Sequence, residues 1–300
     1  VTRPFTWAAL TMDAGKDAAR AGLFVGLEPR SEIAGLLAEG GTPPKILKRI
    51  PGNAIFAGWV RLRPSISVAK IQQDLGKFGA VRAAEFERQR DLVRKIWRID
   101  LQDDVFGNFG GEAGLVVAEG TPFKFAAFIR VANTARAGMA LHAMSGAPGV
   151  LPLKDSQFNA PGTGPFFETG QGKAVLGLFG DYLVLAAPRD FAAEIIAGKG
   201  RSAVEGIPDE EARLGLLAPG VAGAYLNVPA WLAAMRAEGR TDPAKAREAE
   251  DLARKSGNLS GITLKLRPVA GGLSGEIRAI AAPGKSFLGP LLKALDATPP

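Results

Sequence analysis

Several groups of residues have types and spacings that chemistry could use. Ser67-Val68-Ala69-Lys70 sets a hydroxyl and an amine one helical turn apart, the spacing by which a lysine base activates a serine for acyl transfer. Its partner elements, Ser256-Gly257-Asn258 and Lys255-Ser256-Gly257, overlap on one serine, which cannot line two walls of a cleft. Ala279 to Ser286 satisfies the permissive phosphate-loop pattern, a strand turning into a helix whose amides cradle phosphate. Only fourteen residues follow Ser286, too few for the magnesium-carboxylate strand of a nucleotide hydrolase. Asp100, Asp103, Asp104 and Glu112 invite a calcium reading. That loop wants an acid or amide at its third position and glycine at its sixth, where this chain has Gln102 and Val105. Arg90, Arg94 and Arg98 recur every four residues beside Trp97, an anion-binding stripe along one helix side with Phe86, Val93 and Ile96 turned to the core. Glu87 and Asp91 lie close enough to Arg90, Arg94 and Lys95 to neutralise part of that charge through surface pairs of about 0.3–0.5 kcal/mol each.

Other chemistries drop out on composition. The 300 residues include no cysteine and one histidine, His142, which removes disulfide frameworks, thiol nucleophiles and multi-histidine metal centres. There is no Gly-x-Ser-x-Gly elbow, and His142 falls in an apolar helical pattern that suits a packed or surface imidazole better than a catalytic base. The expected catalytic set is therefore empty, with no metal and no cofactor. The +7 charge favours anionic partners in general. The basic residues are scattered and aromatics make up only 7% of the chain, so nucleic acid is not an expected partner. The apolar stretches Ala174 to Pro188 and Val221 to Met235 are broken by Asp181 and by Asn227 with Pro229, leaving no transmembrane segment. The chain opens Val1-Thr2-Arg3, which reads as a processed or excised product.

The elements that would position these residues follow from periodicity. Strands are expected at 5–12, 21–28, 54–62, 112–119, 123–132, 173–179, 181–187, 222–228, 259–267 and 272–281. Helices are expected at 30–39, 134–144, 189–198, 230–238, 243–256 and 285–295, with a helical region at 66–98. Asp242-Pro243 opens one helix as N-cap and N1, and Gly257 closes it.

One pattern occurs twice. Leu23 to Leu37 aligns without a gap on Tyr182 to Ile196, each reading strand, Pro-Arg corner and amphipathic helix. Ile50 to Val60 aligns on Ala218 to Val228 through Pro-Gly turns, and Ile129-Arg130-Val131-Ala132 on Ile277-Arg278-Ala279-Ile280. The spacings are 159, 168 and 148 residues, in the same order, as duplication with loop insertions requires. The expected fold is α+β: two tandem related modules, 1–145 and 146–300, mainly antiparallel with helices packed on one face, and 145–172 as linker or long loop.

The run Ile99-Asp100-Leu101-Gln102-Asp103-Asp104-Val105, followed by Gly110-Gly111-Glu112-Ala113-Gly114-Leu115, resembles a large bacterial family known as a domain of unknown function. In that family an Ile-Asp element, a hydrophobic-acidic stretch and a Gly-x-Glu lead into a strand. Pro51 to Val60 and Tyr182 to Ala187 look like further strands of it, and the resemblance covers about residues 45 to 285. It implies an exported protein, periplasmic or at the cell surface, with no catalytic residues to carry over.

The resulting expectation is a non-enzymatic binding or scaffold protein of the bacterial envelope, its partner an anionic envelope component or another protein. The ligand-binding candidates are Arg90, Arg94, Trp97 and Arg98. Two other classes stay open: a carrier whose Phe and Leu side chains line a cavity for a lipid or other apolar ligand, and a hydrolase.

Overall fold

The computed structural model describes residues 5–286 except 16, 29–40, 62, 64–67, 121–122, 146–153, 156–162, 170–172, 199–201, 208 and 240–242. In chain order its elements are β1 (Phe5–Ala14), β2 (Ala18–Leu27), β3 (Ala54–Arg61), α1 (Val68–Lys77), α2 (Ala80–Trp97), β4 (Phe109–Ala118), β5 (Lys124–Val131) and α3 (Thr134–Ser145). There follow β6 (Lys154–Asp155), β7 (Thr163–Thr169), β8 (Ala174–Phe179), β9 (Tyr182–Ala187), α4 (Arg189–Ala197) and α5 (Glu210–Leu217). Last come β10 (Ala222–Asn227), α6 (Val228–Gly239), α7 (Pro243–Ser256), β11 (Leu259–Val269) and β12 (Gly272–Ala281). The fold is α+β and its strand ladders are antiparallel.

Two compact units divide the chain, each assembled from separate stretches: Val1–Arg61, Leu115–Lys124 and Gly198–Pro300 in the first, Leu62–Gly114 and Phe125–Ala197 in the second. Each unit thus draws strands from both of the expected modules. In the first unit the strand order is β1-β2-β12-β11-β10-β3. Ala57 of β3 lies opposite Tyr225 of β10, with Gly58 opposite Ala224 and Phe56 opposite Leu226. In the second unit the order is β4-β5-β9-β8-β7-β6, β4 entering through Phe109–Gly114. The β8–β9 hairpin turns at Gly180, whose φ of 56° is a conformation only glycine adopts without cost.

Alternation explains which strand faces are buried. In β9, Tyr182, Val184 and Ala186 point one way and are buried; Leu183 and Leu185 point the other. The latter face carries α3: Leu141 and Ala137 pack with Val131, Phe167 and Leu178, and Met144, Leu176 and Leu183 lie against them. Asn108, itself buried, sets the entry to α3, donating from Nδ2 to the Asn133 carbonyl at 2.9 Å and accepting from the Asn133 amide at 2.6 Å. Asn133 Oδ1 then caps the helix by accepting from the Arg136 amide at 3.0 Å. α4 buries Phe191 completely, together with Ile195 and Ile196.

Several expectations are corrected. The helical region 66–98 is two helices, broken at Gly79, whose φ of 128° no helix tolerates. The expected linker or long loop, 145–172, contains β6 and β7, and Phe166 and Phe167 of β7 are core residues. Ile96 is 60% exposed instead of turned to the core. α5 matches none of the expected elements. Gly257 has no left-handed φ; a Cβ there would meet the Ala253 carbonyl at 2.7 Å, so close approach rather than turn geometry requires glycine. The expected helices at 30–39 and 285–295, and the Asp242 cap, lie outside the described residues, apart from Lys285 and Ser286, which are not helical.

Candidate functional site

Among the described residues, three clusters built around a buried charged side chain, Arg278, Lys265 and Glu112, are the places where chemistry could reside. The first lies in the first unit at the end of β12. Arg278 is directed away from the Ile277 face and is buried, with only 7% of its side chain exposed. Its Nη2 donates to Asp209 Oδ2 at 2.9 Å, and Nη1 lies 2.8 Å from Glu211 Oε2 as an ion pair without aligned hydrogen-bond geometry. Asp209 is the N-cap of α5, its Oδ1 accepting from the Ala212 amide at 2.7 Å. The Arg278 guanidinium, and behind it that of Arg20, which also pairs with Glu211, holds the Glu211 carboxyl below the usual range.

Around Arg278 opens a cleft of about 440 Å³, lined by Asp17, Asp209, Glu210, Glu211 and the turn Ala281–Gly284. That turn is the phosphate-loop candidate. It closes with the Lys285 amide donating to the Ala282 carbonyl at 2.9 Å and Gly284 at φ 74°. Four carboxylates line the cleft against one guanidinium already bonded to two of them, a field that opposes a phosphate.

The second cluster is also in the first unit. Lys265 of β11 is 4% exposed, and its Nζ donates to the Leu216 carbonyl at 2.9 Å and to the Ala218 carbonyl. It also sits 4.6 Å from the centre of the Trp59 ring. The two carbonyls belong to the C-terminal end of α5, so the ammonium caps the negative end of that helix. Burial, and next the Arg267 charge, push the Lys265 pKa down to about 8. A lysine in that range can act as a nucleophile or base, yet here its protons are directed at main-chain oxygens.

The third cluster is in the second unit. Glu112 of β4 is 5% exposed and accepts from Tyr182 Oη at 3.0 Å, with Arg130 Nη1 at 3.8 Å. Arg130 Nε donates to Asp181 Oδ2 at 2.8 Å, which raises the arginine pKa further. Burial first, then the Glu112 charge, drives the Tyr182 phenol well above its ordinary value, so it remains a donor. Glu112, Arg130 and Tyr182 thus tie β4, β5 and β9 side to side.

The residues singled out from sequence fall apart from these clusters. On α2, Arg90 lies 3.6 Å from Glu87 and 3.4 Å from Asp91, and Arg94 Nε lies 3.9 Å from Asp100. Arg98 ends the helix at φ 55°, its amide donating to the Arg94 carbonyl at 3.1 Å, and Trp97 is the last helical residue. Arg90 and Arg94 thus stand beside carboxylates, and Arg98, at the left-handed C-cap, does not continue their helical spacing. Asp100 accepts from the Gln102 and Asp103 amides, and Asp104 from the Asp100 amide, so these acids cap the turn at 101–105. Among the described residues no group of three or more His, Asp or Glu is placed to hold a metal ion. His142 is exposed and packs edge-on against Phe167 at 5.4 Å. Ser67 lies outside the described residues.

Asp209 and Lys265 are not among the candidates that motif and spacing offer. Asp209-Glu210-Glu211 before Leu214, Leu216 and Leu217 is an N-cap and acidic first turn, a signal available in the sequence. Lys265 gave no signal, because what buries it is a helix end 49 positions away. Comparison with models of known families, with curated proteins and with solved structures finds no match in any of the three.

Proposed function

We propose that the chain is a non-enzymatic binding or scaffold component of the bacterial envelope, acting outside the cytoplasm, and that it holds another protein through the β1–β2 hairpin. The observation that carries the binding reading is the exposure of β1. Thr6 to Asp13 are exposed on both faces of the strand, Trp7 at 56% and Met12 at 78%. Among the described residues β1 stands at the end of the strand order with β2 as its one ladder partner, which leaves a main-chain edge to which an extended segment of a partner can add. The location rests on the family resemblance of Ile99 to Leu115 alone. The non-enzymatic reading is supported by the use of Arg278, Lys265 and Glu112 as ties and caps. No helix among the described residues is long and apolar enough to cross a membrane.

The same reading treats the chain as a duplication, and strand order supports it. Pairing β1, β2, β3, β4 and β5 with β8, β9, β10, β11 and β12 turns the order β1-β2-β12-β11 of the first unit into the β8-β9-β5-β4 of the second. The 168-residue offset makes Tyr225 the counterpart of Ala57, and the two lie opposite each other, as an antiparallel pair of equivalent strands requires. Arg278 faces Arg20 where the gapless match would place it against Leu23; a displacement of three turns the matched side chains to opposite faces, so β2 and β9 correspond in strand order and not residue by residue.

The test is cross-linked affinity capture from envelope extracts with full-length protein. Capture is expected to fail with Trp7→Ser/Met12→Ser and persist with Arg90→Ala/Arg94→Ala. Loss with the arginine pair alone contradicts the reading in favour of an anionic ligand. Turnover of a substrate by the purified protein that disappears in Lys285→Ala contradicts it in favour of an enzyme.

A further inference from the structure

In the second unit, α2 is an 18-residue helix with no buried residue among its described side chains. Ala83, Phe86, Arg90 and Val93 are half-buried, and at i, i+3, i+7 and i+10 they form the side that packs against α1. Val81, Glu85, Arg88 and Leu92, at i, i+4, i+7 and i+11, form another stripe on the far side of the helix. Val81 is 83% exposed and Leu92 42%; at the two ends of the stripe, Ile96 is 60% exposed and Phe78, in the turn before α2, 72%. Apolar side chains gathered on one exposed stripe, with charges set among them, mark a contact surface.

The charges on the stripe say what fits it. Its order is apolar, acid, base, apolar, and its steps of four, three and four residues are those of a coiled-coil seam. A second copy of the helix, reversed about a two-fold axis between Phe86 and Glu87, sets Val81 against Leu92 and Glu85 against Arg88, each pairing occurring twice. The stripe is therefore complementary to itself in charge as well as in apolar pattern. The same reversal brings Ile96 of each copy to the end where the other carries Phe78. Parallel pairing sets Glu85 on Glu85 and Arg88 on Arg88, so repulsion excludes it. Within one copy Arg88 Nη2 lies 2.6 Å from Glu85 Oε2, and Gln89 Nε2 donates to Glu85 Oε1 at 2.8 Å. Both charges are thus held on the stripe, and two copies bring two acids and two bases together in alternation.

We propose that α2 docks antiparallel on α2 of a second copy of this chain, through Val81, Glu85, Arg88 and Leu92. The seam is short. Eighteen residues span about 27 Å, with one charged centre between two apolar layers, which is the scale of a weak, concentration-dependent association and not of an obligate dimer. The contact is independent of β1 and leaves that strand to its partner, so that one particle carries two β1 edges.

Sedimentation velocity of the full-length protein over roughly a hundred-fold range of concentration tests this. The unaltered chain is expected to pass from monomer to dimer as concentration rises. Glu85→Arg sets two guanidinium groups against each other at both crossings, and Arg88→Glu sets two carboxylates; each variant alone is expected to dimerise at least roughly ten-fold more weakly. Mixed in equal amounts, the two are expected to recover the dimer, because each then opposes the other's charges. Both positions are exposed, with side chains 48% and 70% accessible, so the substitutions leave the packing of the unit intact. A dimer that survives both single variants overturns the proposal, as does failure of the mixture to recover one. Loss of the dimer in Trp7→Ser/Met12→Ser also overturns it and moves self-association to β1. A chain that stays monomeric throughout overturns it as well; if Leu92→Glu then abolishes co-sedimentation with phosphatidylglycerol vesicles, the stripe is a lipid contact instead.

Discussion

Arg278 and Asp209 meet at 2.9 Å, and the carboxylate that receives the guanidinium is the one whose other oxygen caps α5 through the Ala212 amide at 2.7 Å. One acid therefore fixes both the start of a helix and its attachment to β12. Both side chains are largely withdrawn from water, at 7% and 13% exposure, so neither tolerates loss of the other.

Arg278→Ala is expected to cost about 3 kcal/mol, because it leaves Asp209 with a half-satisfied, desolvated charge. Arg278→Lys should cost less, since a single ammonium can reach one carboxylate but cannot bridge two. Urea unfolding midpoints of the two variants check this. A loss below about 0.5 kcal/mol for the alanine variant would mean the pair is surface-like.

Lys265 makes stability depend on alkaline pH. Its pKa is about 8 in the fold against the ordinary 10.5, so between these values the unfolded chain holds a proton that the folded chain has released. The unfolded state binds more protons there, and stability from this residue rises with pH across that window, by about 1.4 kcal/mol per unit within it. Below about pH 8 the burial penalty is constant. Wild type is therefore expected to gain on Lys265→Met when unfolding is measured at pH 7 and again at pH 10. Parallel behaviour of the two proteins would show that the ammonium is not desolvated.

Glycine has opposite meanings at two positions. A Cβ on Gly114 would come within 1.9 Å of Cζ of Phe128, a ring that is 1% exposed, while one on Gly76 of α1 meets nothing within 4 Å. Gly114→Ala is expected to destabilise by about 2–3 kcal/mol through overpacking, and Gly76→Ala to stabilise by roughly 0.5–1 kcal/mol through helix propensity. Thermal unfolding of both variants checks the signs, and a destabilising Gly76→Ala would place α1 in the wrong register.

The sequence made the regular parts legible where the signal is local. Alternation with a Gly-Asp turn is enough for the β8–β9 hairpin, and the period of Pro243 to Ser256 for α7. Where the determinants are distant it was silent. β7 sits in a Gly- and Pro-rich stretch and is held by pairing with β8 and by Phe166 and Phe167 entering the core, a tertiary override of local composition. Ile96 shares its helix face with Phe86 and Val93 by spacing, yet it lies in the last turn and stands exposed. Of the charged clusters, Arg278 was visible as half of the Ile-Arg repeat with Arg130. The identity of its partners depends on a helix cap 69 positions away, which no spacing rule reaches.

The central claim is that this chain works by holding a protein at β1 and not through its charged clusters. The most direct measurement places a photo-crosslinking amino acid at Trp7, at Arg94 or at Lys285 of the full-length protein in living cells and looks for covalent adducts. The account predicts one discrete protein adduct from the Trp7 position and none from the other two. An adduct from Arg94 or Lys285, with none from Trp7, would contradict it.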